Sequence, residues 1–254
     1  MLLPLGIVAV AAPVLPLPDP IQPVAPSFGD PWPPQWHFPC GTDELGRDVC
    51  SRVIYGARLS LFIAVAASFG SVGLGTLIGL LAGYAGGLLE QVFMRATDVV
   101  LSFPVLLLAM GVAALFEPNV PMLLFVIVAV GWTTSARTVR AEVKSIAAAT
   151  HVVAAQALGA GPARILLLHV VPALSSTVFT LWAMTASHAL LIDAGLSFIG
   201  LGTPPPAPSW GRMLSESQTY YRVAPWLMLF PGACLTYAVG AFQLIALGLS
   251  RPTK

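Results

Sequence analysis

Few side chains in this sequence are able to do chemistry. Only 9% of its 254 residues are charged, against 57% hydrophobic. Two lysines occur, Lys144 and Lys254, and neither follows a glycine. The glycine-lysine turn that cradles a nucleotide phosphate is therefore missing. His37, His151, His169 and His188 show no metal-ligand spacing among themselves or with the cysteines. No Gly-x-Ser-x-Gly elbow is present to expose a nucleophile. The sequence therefore predicts no catalytic residues and no resident cofactor or metal. Three features remain. Asp193 stands alone inside a long apolar stretch. Thr177, Thr180, Met184, Ser187 and Leu191 recur at helical spacing, with His188 beside them. Cys40 and Cys50 lie ten positions apart. Polar groups in a membrane helix tend to face the bundle interior or a water-filled cavity, so the stripe reads as the lining of a path. The competing reading has the hydroxyls bonding their own helix backbone. Asp193 reads as a structural or gating group ahead of the glycine-rich run 195–202, rather than as a contact for solute. A disulfide between Cys40 and Cys50 is permitted in an oxidising compartment; two free thiols are the alternative.

The elements that must position these residues are membrane helices. Soluble domains carry roughly 25% charged residues, far more than here. A formal net charge of +1 offers no basic stripe to a nucleic acid. A spanning helix needs about 20 mostly apolar residues. Such stretches lie at roughly 59–82, 99–116, 120–136, 173–201 and 226–249. Residues 2–18 are apolar but carry four prolines, with no basic region before them. They read as a short or truncated first span, with an apolar tail as the alternative, rather than as a signal peptide. The expectation is an all-α membrane protein of about six transmembrane helices. Both termini then share one side. The lysine and arginine bias makes that side cytoplasmic: Arg95, Arg137, Arg140, Lys144, Arg164, Arg251 and Lys254 fall there. Residues 1–40 divide off as a membrane segment plus a Pro- and Trp-rich external stretch, and 41–254 form the transmembrane domain. Outside, "GTDELGRD" predicts a short helix capped by Thr42 or Asp43. Residues 203–225 predict a proline-rich turn and a short interfacial helix, with Trp210, Tyr220 and Tyr221 at the headgroup level. Arg95 and Asp98, three apart, predict a local ion pair.

The largest cytoplasmic element is 137–172. Residues 145–158 ("SIAAATHVVAAQAL") lack Gly and Pro and predict one helix, with Ile146, Ala149, Val153 and Ala157 on its apolar face. Gly159 ends it at a left-handed cap, and Pro162 opens a second helix that runs to Pro172. Such a helix–turn–helix lies on the membrane surface or enters a groove on a cytosolic partner.

The stretch "AAQALGAGPARILLLHVVP" resembles the cytoplasmic coupling loop of membrane subunits of binding-protein-dependent ABC importers. Ala154, Ala155, Gly159, Ile165 and Pro172 fall on the family's positions. Val153 stands where the family has Glu, and Ala173 where Asn often follows the proline. Two further stretches, "GTDELGRDVCSRVIYGARLSL" and "DAGLSFIGLGTPPPAPSWGRML", are similar to the second permease subunit of dipeptide, oligopeptide and nickel importers. There Asp193 replaces the more usual Glu.

The resemblance implies a type I ABC importer permease, not an enzyme, in the bacterial or archaeal inner membrane. It implies a heterodimer with a homologous permease, and a coupling loop docked on two cytosolic ATPase subunits or one fused ATPase that hold the ATP and Mg. An extracytoplasmic solute-binding protein delivers cargo. His151, Val153, Ala154, Ala155, Gly159, Arg164 and Pro172 are the expected ATPase-coupling residues. Thr177, Thr180, Met184, Ser187, His188 and Asp193 are expected at the path or gate. Thr42, Asp43, Arg47, Asp48 and Trp210 are expected on the binding-protein side. Peptide cargo is the first expectation, with nickel or another metal chelate, or haem, on the same machine as alternatives. A passive channel or ion-coupled carrier is the alternative of a different class.

Overall fold

The structure is a computed structural model that describes Gly6, residues 11–25 and residues 29–250. Of the expected first span, 2–18, residues 2–5 and 7–10 lie outside the described residues, as do Arg251 and Lys254. Helices dominate, and the only bridges among the described residues are the isolated pairs Gln35–Phe38 and Thr42–Asp48.

The first long helix, α1 (Val49–Ala85), begins ten residues earlier than hydropathy suggests. The Asp48 carboxylate caps it by accepting from the Ser51 backbone N–H at 2.8 Å. Its 37 residues span about 55 Å, well beyond the ~30 Å apolar core of a bilayer. After the positive-φ pair Gly86 and Gly87, α2 (Gly87–Leu101) and α3 (Val105–Ala113) follow. Here the expected single span at 99–116 is corrected. The chain bends by 93° between Gly87–Leu101 and Leu106–Val112. Pro104 has no N–H to donate and pushes Phe103 away from helical geometry.

The next helix, α4 (Val120–Ala147), is capped by Asn119, which accepts from the Met122 N–H. Two short helices, α5 (Thr150–Ala157) and α6 (Pro162–Ala173), lead into α7 (Ser175–Phe198). The short helix α8 (Trp210–Glu216) precedes α9 (Trp226–Leu249). Among the described residues four helices, α1, α4, α7 and α9, are long and apolar enough to cross a membrane, and counting the bent α2–α3 pair as one span gives five.

Three glycines set the contact between α1 and α4. A Cβ on Gly75 would lie 2.5 Å from the Trp132 carbonyl oxygen. One on Gly79 would lie 2.7 Å from that of Ala136, and one on Gly83 2.9 Å from that of Arg140. A four-residue spacing keeps all three on one face. Lipid tails are as apolar as leucine, so close backbone approach, rather than hydrophobicity, holds such helices together. At one end, which the lysine and arginine bias assigns to the inner side, the same helices are joined through α2. Arg140 and Lys144 of α4 both pair with Glu90, and Arg137 pairs with Asp98 at 2.6 Å. Asp98 is thus engaged by α4, not by Arg95 as its sequence spacing suggests.

The opposite end, the expected outer one, is closed by buried charges. The segment 41–48 is a turn, not the expected short helix. Gly46 adopts a φ of 72° there. Asp43 fixes the turn by accepting from the Leu45 and Arg47 N–H groups and from Arg47 Nε at 2.7 Å. Arg52, on the first turn of α1, is 1% exposed and donates to Glu216 of α8 at 2.7 Å. Its other nitrogen lies 3.4 Å from Asp43. Arg212 completes the set through Glu216 at 2.7 Å. Burial pushes the Glu44 carboxyl above its usual range. A disulfide joins Cys40 to Cys50, with Cα atoms 5.2 Å apart, and clamps this turn to α1.

Two expectations follow. Gly79→Ala forces two backbones apart and should cost ~1–3 kcal/mol, read as lower thermal stability in detergent; an unchanged melting curve would show the contact to be slack. Arg52→Met removes the buried guanidinium that Glu216 and Asp43 share, while Arg212 and Arg47 still pair with them, and should cost ~1–3 kcal/mol. In a double-mutant cycle with Glu216→Gln the second change should recover part of that loss, and strict additivity would argue against the pairing.

Candidate functional site

The inner helix–turn–helix is anchored from within. The expected single helix over 145–158 is two: Ser145–Ala147 complete α4, and α5 starts afresh at Thr150. Gly159, with φ of 89°, ends α5, and Pro162 sits in the first turn of α6, both as the sequence predicts. Val152 of α5 and Ile165 and Val170 of α6 are buried in one cluster with Val139 and Val143 of α4 and Leu174 and Leu181 beyond. The inward residue of α5 is therefore Val152, not Val153.

The opposite face projects. Val153 is 49% exposed and Leu158 90% exposed. His151, Ala154, Gly159, Arg164 and Pro172 are also exposed, and Ala155 is half-buried. His151 and His169 face each other across the turn, ring centroids 6.1 Å apart. One turn of α6, Leu166–Val170, is π-helical, and the Val171 N–H bonds back to the Leu166 carbonyl. Pro172 follows directly and has no N–H to continue the α pattern.

On α7 the exposed line runs Met184, His188, Leu191 and Phe198, with Thr177 and Thr180 half-buried at its inner end. Ser187 departs from the predicted stripe. It is fully buried, and its hydroxyl donates to the Met184 carbonyl and accepts from Gln243 of α9 at 2.7 Å. Four-residue spacing places Ser187 beside the stripe only approximately, and the hydrogen bond to Gln243 decides its side. Thr180 donates to the Ser176 carbonyl of its own helix. Asp193 is 1% exposed, turned into the bundle rather than toward the open side, and its Oδ1 has no hydrogen-bond partner.

A cavity of about 430 Å³ lies along the open side of α7. Leu101 and Leu106 from the α2–α3 bend, Thr134 of α4, and Met184, Thr185 and His188 of α7 are among its walls. Its size falls in the range of small-molecule sites. A larger hollow of about 730 Å³ beside Tyr55, Arg58 and Phe62 lies against α1, away from that line of residues.

The residues expected to meet an external protein are instead internal. Thr42, Asp43, Arg47 and Asp48 are buried in the outer turn. Trp210 is also fully buried, not at a headgroup level. Its backbone N–H donates to Ser60 Oγ and its indole to the Val53 carbonyl, so it wedges α8 against α1. Sequence reasoning missed Arg52, Glu216 and Gln243, each defined by a partner distant in the chain. It also missed the Gly75-x3-Gly79-x3-Gly83 pattern, a visible signal for close helix packing. Among the described residues, no group of three or more His, Cys, Asp or Glu is placed to hold a metal ion.

Residues 75–251 match the family described as "Binding-protein-dependent transport system inner membrane component". A dipeptide transport system permease protein of Alkalihalophilus pseudofirmus is 37% identical over 209 residues, covering 82% of this chain and 69% of that protein. An oligopeptide transport system permease protein of Haemophilus influenzae is 35% identical, covering 84% of this chain and 68% of its own. A chain from inward-facing structures of the MetNI methionine ABC transporter shares the fold with a TM-score of 0.61. At 15% identity it covers 78% of this chain and 96% of its own. With its loop, its bundle and these relatives in agreement, the chain belongs to the inner-membrane permeases of binding-protein-dependent ABC importers and has the type I importer fold.

Proposed function

We propose that this chain forms half of a transmembrane path for di- and oligopeptides and passes ATPase closure into that path. A homologous permease supplies the other half. Two cytosolic ATPase subunits, or one fused ATPase, bind ATP and Mg. An extracytoplasmic solute-binding protein loads the outer side, and both termini of this chain lie in the cytoplasm. The chain itself makes and breaks no covalent bond. Peptide cargo is supported by the names of the dipeptide and oligopeptide relatives.

The observation that carries the coupling role is the shape of α5–α6. Its inward residues Val152, Ile165 and Val170 share one packed cluster with Leu174 and Leu181 at the start of α7. Its outward face sets Val153, Ala154 and Gly159 beside the polar His151, Gln156 and Arg164, all exposed, with Leu158 at the tip 90% exposed. A short helix with an exposed face of this kind suits a groove on a partner. Displacing α5 then moves α7, which lines the cavity. Alternating access follows if ATP-driven closure of the ATPases displaces the docked helices.

Reconstituted with its partners in lipid, the complex should hydrolyse ATP faster when peptide-loaded binding protein is added. Gly159→Val imposes backbone strain of order 1–3 kcal/mol on a φ of 89°. It should lower coupled peptide uptake about tenfold while membrane insertion and pairing with the second permease persist. Sustained uptake in the absence of any ATPase subunit would sink the reading in favour of a channel or carrier.

A further inference from the structure

We infer that His188 sets the charge preference of the path, favouring neutral and acidic peptides over basic ones. The inference rests on the translocation reading above and goes one step further, to the chemistry of the wall. Among the described residues lining the 430 Å³ cavity, none is Asp, Glu, Lys or Arg, and His188 is the one ionisable side chain. It is exposed on the open face of α7, between Met184 and Leu191, one and just under one helical turn away. Of the hydroxyls nearby, Thr133 is already committed to the Val130 carbonyl. Thr134 and Thr185 remain on the wall as neutral polar groups. The next charged residue along α4, Arg137, is paired with Asp98 at 2.6 Å. The buried carboxylate Asp193 is not among the lining residues.

The sign follows from chemistry. An imidazole is neutral or cationic and never anionic. It donates a hydrogen bond to a carboxylate in either state, whereas an ammonium group finds an acceptor nitrogen only while the ring is neutral, and never a negative charge. The rest of the wall is uncharged and mostly apolar, which strengthens whatever charge it holds. A basic side chain therefore meets no compensating carboxylate on this half of the path, whereas an acidic one meets His188. The role is one of specificity, separate from coupling, because His188 lies outside the cluster that anchors α5–α6.

The test measures uptake of Ala-Glu, Ala-Ala and Ala-Lys by the complete complex in proteoliposomes, with the same binding protein throughout. Each rate is divided by the Ala-Ala rate of the same variant, so the binding protein's own preference cancels between variants. His188→Asp should shift the Ala-Glu to Ala-Lys ratio toward Ala-Lys by on the order of tenfold. His188→Lys should preserve or raise the preference for Ala-Glu, and His188→Gln should fall between them. If one variant fails to assemble, seen as loss of ATPase stimulation, the two others carry the same comparison. Ratios that stay constant across assembled variants overturn the role of His188 and leave the transporter reading intact. Failure of the unaltered complex to take up any of the three peptides with ATP overturns the transporter reading itself.

Discussion

The close approach of α1 to α4 is the constraint on which the rest of the molecule depends. Gly75, Gly79 and Gly83 present bare backbone to the carbonyls of Trp132, Ala136 and Arg140 at distances that no side chain tolerates. In lipid this contact is a matter of shape, since apolar side chains gain nothing by leaving lipid for protein. The pair then serves as a frame. Its outer end receives the buried turn at Asp43 and the wedge of Trp210. Its inner end, through Val139 and Val143, receives Val152 and Ile165 of the helix–turn–helix. A looser contact would move both ends at once.

The two ends use charge in different ways. At the outer end Asp43, Glu44 and Glu216 are matched by Arg47, Arg52 and Arg212; Asp43, Arg47 and Arg52 are buried and the other three half-buried. Removing one member of such a set leaves its partners desolvated, so the set is rigid as a unit. At the inner end the pairs Arg137–Asp98 and Lys144–Glu90 have more exposed members, and exposed pairs contribute little. The outer end is therefore built to hold position. The inner end is held mainly by packing, which suits a surface proposed to be pushed and released.

Much of this was legible from composition and periodicity, and the failures share a cause. The spans at 120 and 226 begin where hydropathy places them, because Asn119 and Pro225 mark their starts locally. Gly159 and Pro162 likewise announce the turn through their own backbone preferences. Arg52 lies ahead of the expected span at 59–82 because hydropathy alone sets that boundary. Its partner Glu216 lies 164 positions away and is invisible to a local window. Trp210 was misplaced for the same reason, since an interfacial tryptophan and a buried one look alike until Val53 and Ser60 are known to stand beside it. Ser187 was assigned by spacing alone, and only Gln243 on another helix shows which way it faces. The break at Pro104 was the exception. Its signal was local and lay inside a stretch whose hydropathy alone suggested one span.

On the proposed reading, motion must travel from α5 to His188, and the route is short and packed. Val152 moves with Ile165 and Val170. These lie in the same cluster as Leu174 and Leu181, and Leu181 lies two turns before His188 on α7. The π-helical turn at Leu166–Val170 and the proline after it interrupt regular hydrogen bonding at the junction. Such interruptions are where helices bend. The inner start of α7 is also tied to α9 by the Ser176 hydroxyl, which donates to the Leu249 carbonyl at 3.1 Å. A push on α5 would therefore bend the chain around Pro172 and carry α7 and α9 together. On that reading the line Met184–His188–Leu191 would move as one wall, while the buried charges at the outer end of α1 would hold that end fixed.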